Sequence, residues 1–242
     1  MNIEKSKEKI LAVEHLTVQL DREIIIENLN FDVDPGEYLT IIGPNGSGKT
    51  TLFRALIGVI AYKGRVHWAS GVVLGYVPQK LDIERNVPLS LQDFFESKVM
   101  YGTRSGFETY LDLVNLPTYL LKKPLGLLSG GEFQRALVAF ALIGDANVLL
   151  FDEPTAGIDV GGEGTIYQLL HRLQDERGTT MLLISHDLNV VYQYADRVLC
   201  INKKMICAGA PREVLNPRDL AMLYGAGAFY HHHDNMAPAL RK

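Results

Sequence analysis

The chain has 242 residues, of which 47% are hydrophobic and 21% are charged. This length suits one large domain or two small ones, and the composition excludes disordered, collagen-like and disulfide-dense classes of protein. The net charge of -4 gives no electrostatic reason to bind nucleic acid.

Targeting and membrane signals are weak in this sequence. Its apolar runs are far shorter than the roughly 20 residues that a membrane-spanning helix needs. Residues 1–9 alternate Glu and Lys and lack the apolar stretch of a secretory signal. We therefore expect a cytoplasmic protein.

Two kinds of strand pattern occur along the chain. Residues 10–18, 24–33, 64–68 and 72–77 are β-branched or alternating and predict an antiparallel sheet. The apolar runs 38–42, 148–151 and 180–184 predict buried parallel strands with crossover helices. Together they predict an α/β fold with a parallel core and an N-terminal antiparallel β subdomain.

Residues 80–123 have a helical pattern with little strand signal, and Ser90 and Asp93 can form a capping pair at its start. This pattern predicts an inserted α-helical subdomain over about 80–140. We expect residues 1–226 to form a single domain and residues 227–242 to form a flexible, His-containing tail.

A glycine-rich motif follows the apolar run 38–42. It consists of Gly43, Pro44, Asn45, Gly46, Ser47, Gly48, Lys49 and Thr50. The motif has the P-loop pattern, in which backbone N–H groups and the following helix bind phosphate, Lys49 contacts the outer phosphates and Thr50 ligates Mg²⁺. The alternative is a glycine-rich turn that happens to contain lysine.

Two acidic residues, Asp152 and Glu153, follow the apolar run 148–151. Asp152 suits a Mg²⁺ shell, and Glu153 suits a general base that polarises the attacking water. Two acids at a strand end are otherwise an ordinary solvated terminus.

The segment Leu128-Ser129-Gly130-Gly131-Glu132 precedes a helical pattern. Ser129 and Glu132 fit a capping box, so the segment predicts a capped helix. The exposed N–H groups of Gly130 and Gly131 offer the alternative of anion binding at the same helix end.

Four motifs together resemble an ABC-type ATPase domain over nearly the whole chain. They are the P-loop, residues 128–132 followed by Gln134-Arg135, residues 151–155, and Ser185-His186-Asp187. The resemblance implies the P-loop NTPase fold of ABC ATPases, with ATP and Mg²⁺ bound at the P-loop.

The resemblance also implies roles for individual residues. Thr51 joins the nucleotide site, and Gln79 is the glutamine that links this site to the helical subdomain and adds a ligand for Mg²⁺. His186 is the switch histidine on the γ-phosphate, although a lone histidine after a strand is often only structural. Asp159 crosses the interface of a head-to-tail dimer.

In such a dimer, residues 129–132 contact the ATP of the partner subunit. The other implied partners are a polytopic membrane permease and, indirectly, an external substrate-binding protein.

Several positions depart from the family pattern. Leu20 stands where an aromatic ring often stacks on adenine, Phe140 stands where arginine is common, and Glu132 replaces a commoner glutamine. None of these changes removes a catalytic group.

Residues 75–80, 123–126, 157–160 and 196–200 are similar to the ATPase subunits of bacterial zinc, manganese and iron importers. This resemblance implies a divalent metal ion as cargo. The alternative is a soluble ABC ATPase of cofactor assembly, translation or DNA repair, whose usual second cassette or coiled-coil insertion is not evident here.

Two further features allow more than one interpretation. His231, His232 and His233 could bind a metal ion, although a solvated tail is the simpler prediction. Cys200 and Cys207 are predicted to face each other across a hairpin, and we expect reduced thiols rather than a disulfide in a reducing cytoplasm.

Overall fold

The computed structural model describes residues 8–79, 81, 88–99, 106–154 and 163–225. Within these ranges, no helix combines the length and the apolar character that would let it cross a bilayer.

Nine strands lie in the described residues: β1 (Leu11–Leu20), β2 (Glu23–Val33), β3 (Tyr38–Ile42), β4 (Lys63–Trp68), β5 (Leu74–Val77), β6 (Val148–Asp152), β7 (Thr180–Ile184), β8 (Arg197–Asn202) and β9 (Lys204–Gly209). Strands β1, β2 and β4 form an antiparallel sheet in the order β2-β1-β4. The others form a six-stranded sheet in the order β5-β6-β7-β3-β8-β9, in which only β9 is antiparallel to its neighbour.

The position of β5 corrects one prediction. Residues 72–77 were expected in the antiparallel sheet, but Leu74–Val77 pairs in parallel with β6, with Leu74 opposite Val148. Strand β5 lies at the edge of its sheet, and its residues alternate between half-buried and buried. An edge strand therefore shows the alternation that is typical of an antiparallel strand.

The described residues contain eight α-helices: α1 (Lys49–Leu56), α2 (Leu91–Val99), α3 (Phe107–Leu113), α4 (Gly130–Leu142), α5 (Glu163–Arg177), α6 (Leu188–Tyr194), α7 (Pro211–Val214) and α8 (Pro217–Tyr224). Two short 3₁₀ helices, Thr118–Lys122 and Leu125–Leu127, connect α3 to α4. The predicted cap of α2 is present, because Ser90 N donates to Asp93 Oδ2 at 2.9 Å and Asp93 N donates to Ser90 Oγ at 3.1 Å.

Both faces of the six-stranded sheet are buried, as the continuous apolar runs predict. Along β6, Leu149 and Phe151 join the core beneath α2 to α5. Val148 and Leu150 face the core that contains α1 and the antiparallel sheet. The two covered faces leave the carboxyl ends of the parallel strands as the edge where a ligand can bind.

The last two strands correct a second prediction. Cys200 and Cys207 lie directly opposite each other on β8 and β9, as expected, with a Cα–Cα distance of 4.9 Å. They are joined by a disulfide rather than present as free thiols. Their register already gives the Cα spacing that a disulfide requires, so no backbone movement is needed to form it.

Candidate functional site

The P-loop connects β3 to α1 at the carboxyl edge of the large sheet. Gly48 has a φ of 101°, a left-handed conformation that glycine adopts without strain. A Cβ atom on Gly43 would collide with the backbone carbonyl of Ile201 on β8. The sequence thus places glycine where the backbone must turn sharply and where another strand passes close by.

Lys49 is the first residue of α1, and its ammonium group lies within the loop. Its Nζ donates to Gly43 O at 2.8 Å and to Pro44 O at 3.0 Å. Burial lowers the pKa of Lys49, while the nearby carboxylates of Glu153 and Asp152 act in the opposite direction. The Ser47 hydroxyl is buried without a hydrogen-bond partner. A partly desolvated cation beside an unsatisfied hydroxyl fits a phosphate group.

A cavity of about 790 Å³ opens above this loop. Residues 45–51 line it together with Ile25, Gln79, Glu153 and His186. The structure therefore brings the predicted P-loop, Gln79, Glu153 and His186 to one place. Ile25 was not predicted, and it supplies an apolar wall. Leu20, which stands where an aromatic ring often stacks on adenine, is not among the lining residues.

The two acids at the end of β6 differ in environment. Asp152 is buried, and burial raises its pKa, while a hydrogen bond from Thr50 opposes this shift. Hydroxyl and carboxylate oxygens are the ligands that Mg²⁺ prefers, so this pair fits the predicted metal position.

Glu153 is the first residue after β6, and its backbone has a left-handed conformation with a φ of 51°. Its N–H donates to Ile184 O on β7 at 3.1 Å, which holds the residue in this position. Left-handed backbone is uncommon for a residue other than glycine and concentrates at functional sites.

Two further side chains meet the Glu153 carboxylate. Gln79 Nε2 donates to Glu153 Oε2 at 2.6 Å, and His186 Nδ1 lies 3.8 Å from Glu153 Oε1. Gln79 follows β5 and His186 follows β7, the two strands on either side of β6. Neighbouring strand ends thus deliver an amide, a carboxylate and an imidazole to one edge of the cavity.

Tyr76 on β5 is a second residue that sequence reasoning missed. Burial raises the pKa of Tyr76 to about 12, and its hydroxyl interacts with Asp152. Its ring packs edge-on against Phe53 of α1. Aromatic residues are common in strands, so the sequence alone did not distinguish Tyr76 from a residue that only packs in the core.

The segment that precedes α4 lies outside the cavity of its own chain. Ser129 caps α4, and the reciprocal bonds of the capping box to Glu132 are both present. Gly130 and Gly131 form the first two positions of the helix, where backbone N–H groups have no partner within the helix. Residues 129–132 are not among those that line the P-loop cavity. A single chain therefore does not bring the two predicted phosphate-binding elements together.

Two groups of predicted site residues lie outside the described residues. They are Asp159 and the tail histidines His231, His232 and His233.

Known proteins of one family are similar to this chain. The model of the ABC transporter family matches residues 26–156. The zinc import ATP-binding protein ZnuC of Cereibacter sphaeroides is 39% identical over 229 residues, which cover 92% of this chain and 93% of that protein. The zinc import ATP-binding protein ZnuC 2 of Hahella chejuensis is 40% identical over 217 residues, covering 89% of this chain and 88% of that protein.

One solved structure has a similar fold. It is an ABC transporter assigned to the metal-chelate type, in an inward-facing conformation, and it superposes with a TM-score of 0.80 at 27% identity. The superposition covers 90% of this chain and 89% of that one.

Proposed function

The chain belongs to the ABC transporter family as an ATP-binding subunit with ATPase activity, and from this premise we propose that it powers import of a divalent metal ion. Zinc is the first candidate, because two relatives at 39% and 40% identity are zinc import ATP-binding proteins. The observation that carries the ATPase role is the convergence of Gln79 and His186 on Glu153 at the edge of the P-loop cavity.

The P-loop binds the phosphates of ATP. Backbone N–H groups of residues 45–51 and the amino end of α1 surround the phosphates, and Lys49 supplies positive charge. Thr50 and Asp152 are the residues that would hold Mg²⁺, with Gln79 as a further oxygen ligand. When bound, Mg²⁺ neutralises charge that develops between the β- and γ-phosphates.

Glu153 accepts a proton from the water that attacks the γ-phosphate. Its carboxylate is held by Gln79 on one oxygen and lies near His186 on the other. General-base assistance of this kind accelerates a reaction by roughly 10² to 10⁴. His186 is 75% exposed at its side chain and lines the cavity, so it can contact the γ-phosphate.

The second element of the site is supplied by another copy of the chain. Ser129, Gly130 and Gly131 lie outside the cavity of their own chain, and α4 begins with unpaired N–H groups that favour an anion. In a head-to-tail dimer these residues contact the γ-phosphate held by the partner, and Asp159 crosses the interface. Hydrolysis removes the shared group, and the two copies separate.

The dimer acts on a polytopic membrane permease from the inner face of the cell membrane, and an external binding protein delivers the metal to that permease. ATP-driven closure and opening then change the direction in which the permease faces. The soluble ABC ATPases of other processes would share the ATP site but need no such permease.

A transport assay with purified components tests this proposal. The chain is co-expressed with a candidate polytopic permease, the complex is reconstituted in vesicles, and ATP-dependent uptake of zinc, manganese and iron is measured. We expect zinc uptake that stops with Glu153→Gln. An active ATPase that binds no membrane protein and moves none of the three metals would contradict the import function while leaving the ATPase assignment intact.

A further inference from the structure

One buried side chain joins α4 to the carboxyl end of β6. Helix α4 begins within residues 128–132, which we call the signature. Gln134 lies on α4, is 5% exposed, and donates from Nε2 to the backbone carbonyl of Pro154. Pro154 comes immediately after Glu153 and is also buried. The hydrogen bond therefore links α4, which carries the signature, to the segment that carries Glu153.

The backbone around Glu153 is held from two sides. On one side, its N–H donates to Ile184 O of β7. On the other side, the next carbonyl, that of Pro154, accepts from Gln134. Between these two bonds lies the left-handed φ of Glu153, a conformation that persists only where the surroundings impose it.

Helix α4 is suited to transmit a displacement. Its first turn is closed by the capping box, and Phe133 N donates to Ser129 O at 2.8 Å. Gln134 follows Phe133 directly, so Ser129 and Gln134 lie within the first two turns of one hydrogen-bonded helix. A shift of the signature end would move Gln134 with it.

We propose that Gln134 is a positioning residue that couples the signature of a chain to the Glu153 of that same chain. This inference rests on the proposed function, in which residues 129–131 contact the partner's ATP and Glu153 is the general base. Gln134 already bonds the Pro154 carbonyl in the isolated chain. When the signature engages the partner's nucleotide, the displacement of α4 passes through this bond and changes the orientation of Glu153. Each chain's hydrolysis at its own P-loop then depends on whether its signature is occupied.

A merely structural role makes a different prediction. If Gln134 only satisfies a buried carbonyl, its removal lowers the stability of the fold, since a buried unpaired acceptor is costly, and leaves turnover of the folded protein unchanged. The two roles are separated by kinetics rather than by stability.

The test compares Gln134→Leu with the matched control Gln174→Leu. Gln174 lies on α5 and also bonds a backbone carbonyl, because its Nε2 donates to Gly36 O at 2.9 Å as well as to Asp196 Oδ2 at 2.8 Å. Gly36 precedes β3, at the opposite edge of the sheet from Glu153. For Gln134→Leu we expect kcat to fall about tenfold or more with the KM for ATP changed less than about twofold, since only transition-state positioning is lost. For Gln174→Leu we expect kcat within about twofold of the parent. Wild-type turnover by Gln134→Leu would overturn the inference.

Two double variants locate the effect. In single-turnover experiments, Gln134→Leu should add little to the loss already caused by Glu153→Gln if it acts through that carboxylate. Likewise, the combined loss of kcat in Ser129→Ala/Gln134→Leu should be smaller than the sum of the two single losses, because the part of the Ser129 effect that reaches Glu153 of the same chain is already lost. Additive losses in both cycles would show that Gln134 acts elsewhere.

If the leucine variant does not fold, Gln134→Asn replaces it in the test, because asparagine keeps the amide but is too short to reach Pro154.

The outcomes also distinguish this inference from the proposed function. A normal kcat for Gln134→Leu alongside an inactive Glu153→Gln refutes the coupling only, whereas an active Glu153→Gln refutes the assignment of the base.

Discussion

Replacing Glu132 with glutamine measures how much the capping box of α4 depends on charge. The Glu132 carboxylate accepts from Ser129 N at 2.8 Å and lies 3.0 Å from Lys123 Nζ. Glutamine can keep the bond to the Ser129 N–H, because Glu and Gln both complete a capping box. It loses the ion pair and the negative charge at the positive end of the helix.

The expected loss in the free energy of unfolding follows from how exposed the ion pair is. The side chains of Lys123 and Glu132 are 33% and 23% exposed, and a partly exposed pair of this kind contributes about 0.5 kcal/mol. An acid in the first helical turn adds about 0.5 kcal/mol. We therefore expect Glu132→Gln to lower the free energy of unfolding by about 1 kcal/mol, or Tm by about 2–4 °C for a protein of this size.

The effect has a defined pH dependence. The Ser129 N–H, followed by Lys123, lowers the pKa of Glu132 below its ordinary value of 4.5. A carboxyl whose pKa is lower in the folded state stabilises the fold above its unfolded pKa, and this stabilisation is lost as the pH falls through the folded pKa. The Tm difference between the parent and Glu132→Gln should be full at pH 7 and should shrink progressively below pH 4.5.

Thermal unfolding followed by circular dichroism from pH 7 to the lowest pH that the protein tolerates provides the assay. Glu96→Gln on α2 is a suitable control, because Glu96 accepts a single exposed bond from Gln92. A double-variant cycle with Lys123→Met should return a coupling of about 0.5 kcal/mol. A Tm difference that is absent at pH 7, or that does not shrink in acid, would refute this account of the cap.

Three further predictions concern other contacts. Tyr76→Phe should raise the Mg²⁺ concentration needed for half-maximal ATPase activity several-fold by removing the hydroxyl beside Asp152, and a Mg²⁺ titration at fixed ATP checks this. Burial lowers the pKa of Lys98 from 10.5 to about 8, so the unfolded state binds more protons and the Tm of the parent relative to Lys98→Met should rise between about pH 8 and 10.5. Gly43→Ala places a Cβ against the Ile201 carbonyl, and equilibrium titration should show loss of nucleotide binding.

The sequence predicts the parallel core well because its signals are local. The three apolar runs, the P-loop between a strand and a helix, and the capping box of Ser129 and Glu132 all depend on neighbours along the chain. The strand order depends on pairing between distant segments, which local patterns do not reveal, and it places β7 between β3 and β6. The edge position of β5 likewise depends on pairing with a strand more than 70 residues later.

The site residues that sequence reasoning missed act through distant contacts. Ile25 reaches the P-loop from the antiparallel sheet, and Tyr76 touches Asp152 from another strand. The bond from Gln134 to Pro154 crosses 20 positions of the chain. The disulfide between Cys200 and Cys207 shows the reverse case, in which the geometry was predicted and the chemical state was not.

The most direct test of the account is the size of the Glu153→Gln variant with and without Mg-ATP, measured by sizing chromatography with light scattering. This substitution removes the proposed base while keeping the shape of the side chain, so bound ATP should persist. We predict a monomer without nucleotide and a dimer with Mg-ATP, and that dimer should be lost when Ser129→Arg is added. A protein that binds ATP and stays monomeric, both alone and with its co-expressed permease, would contradict the shared site.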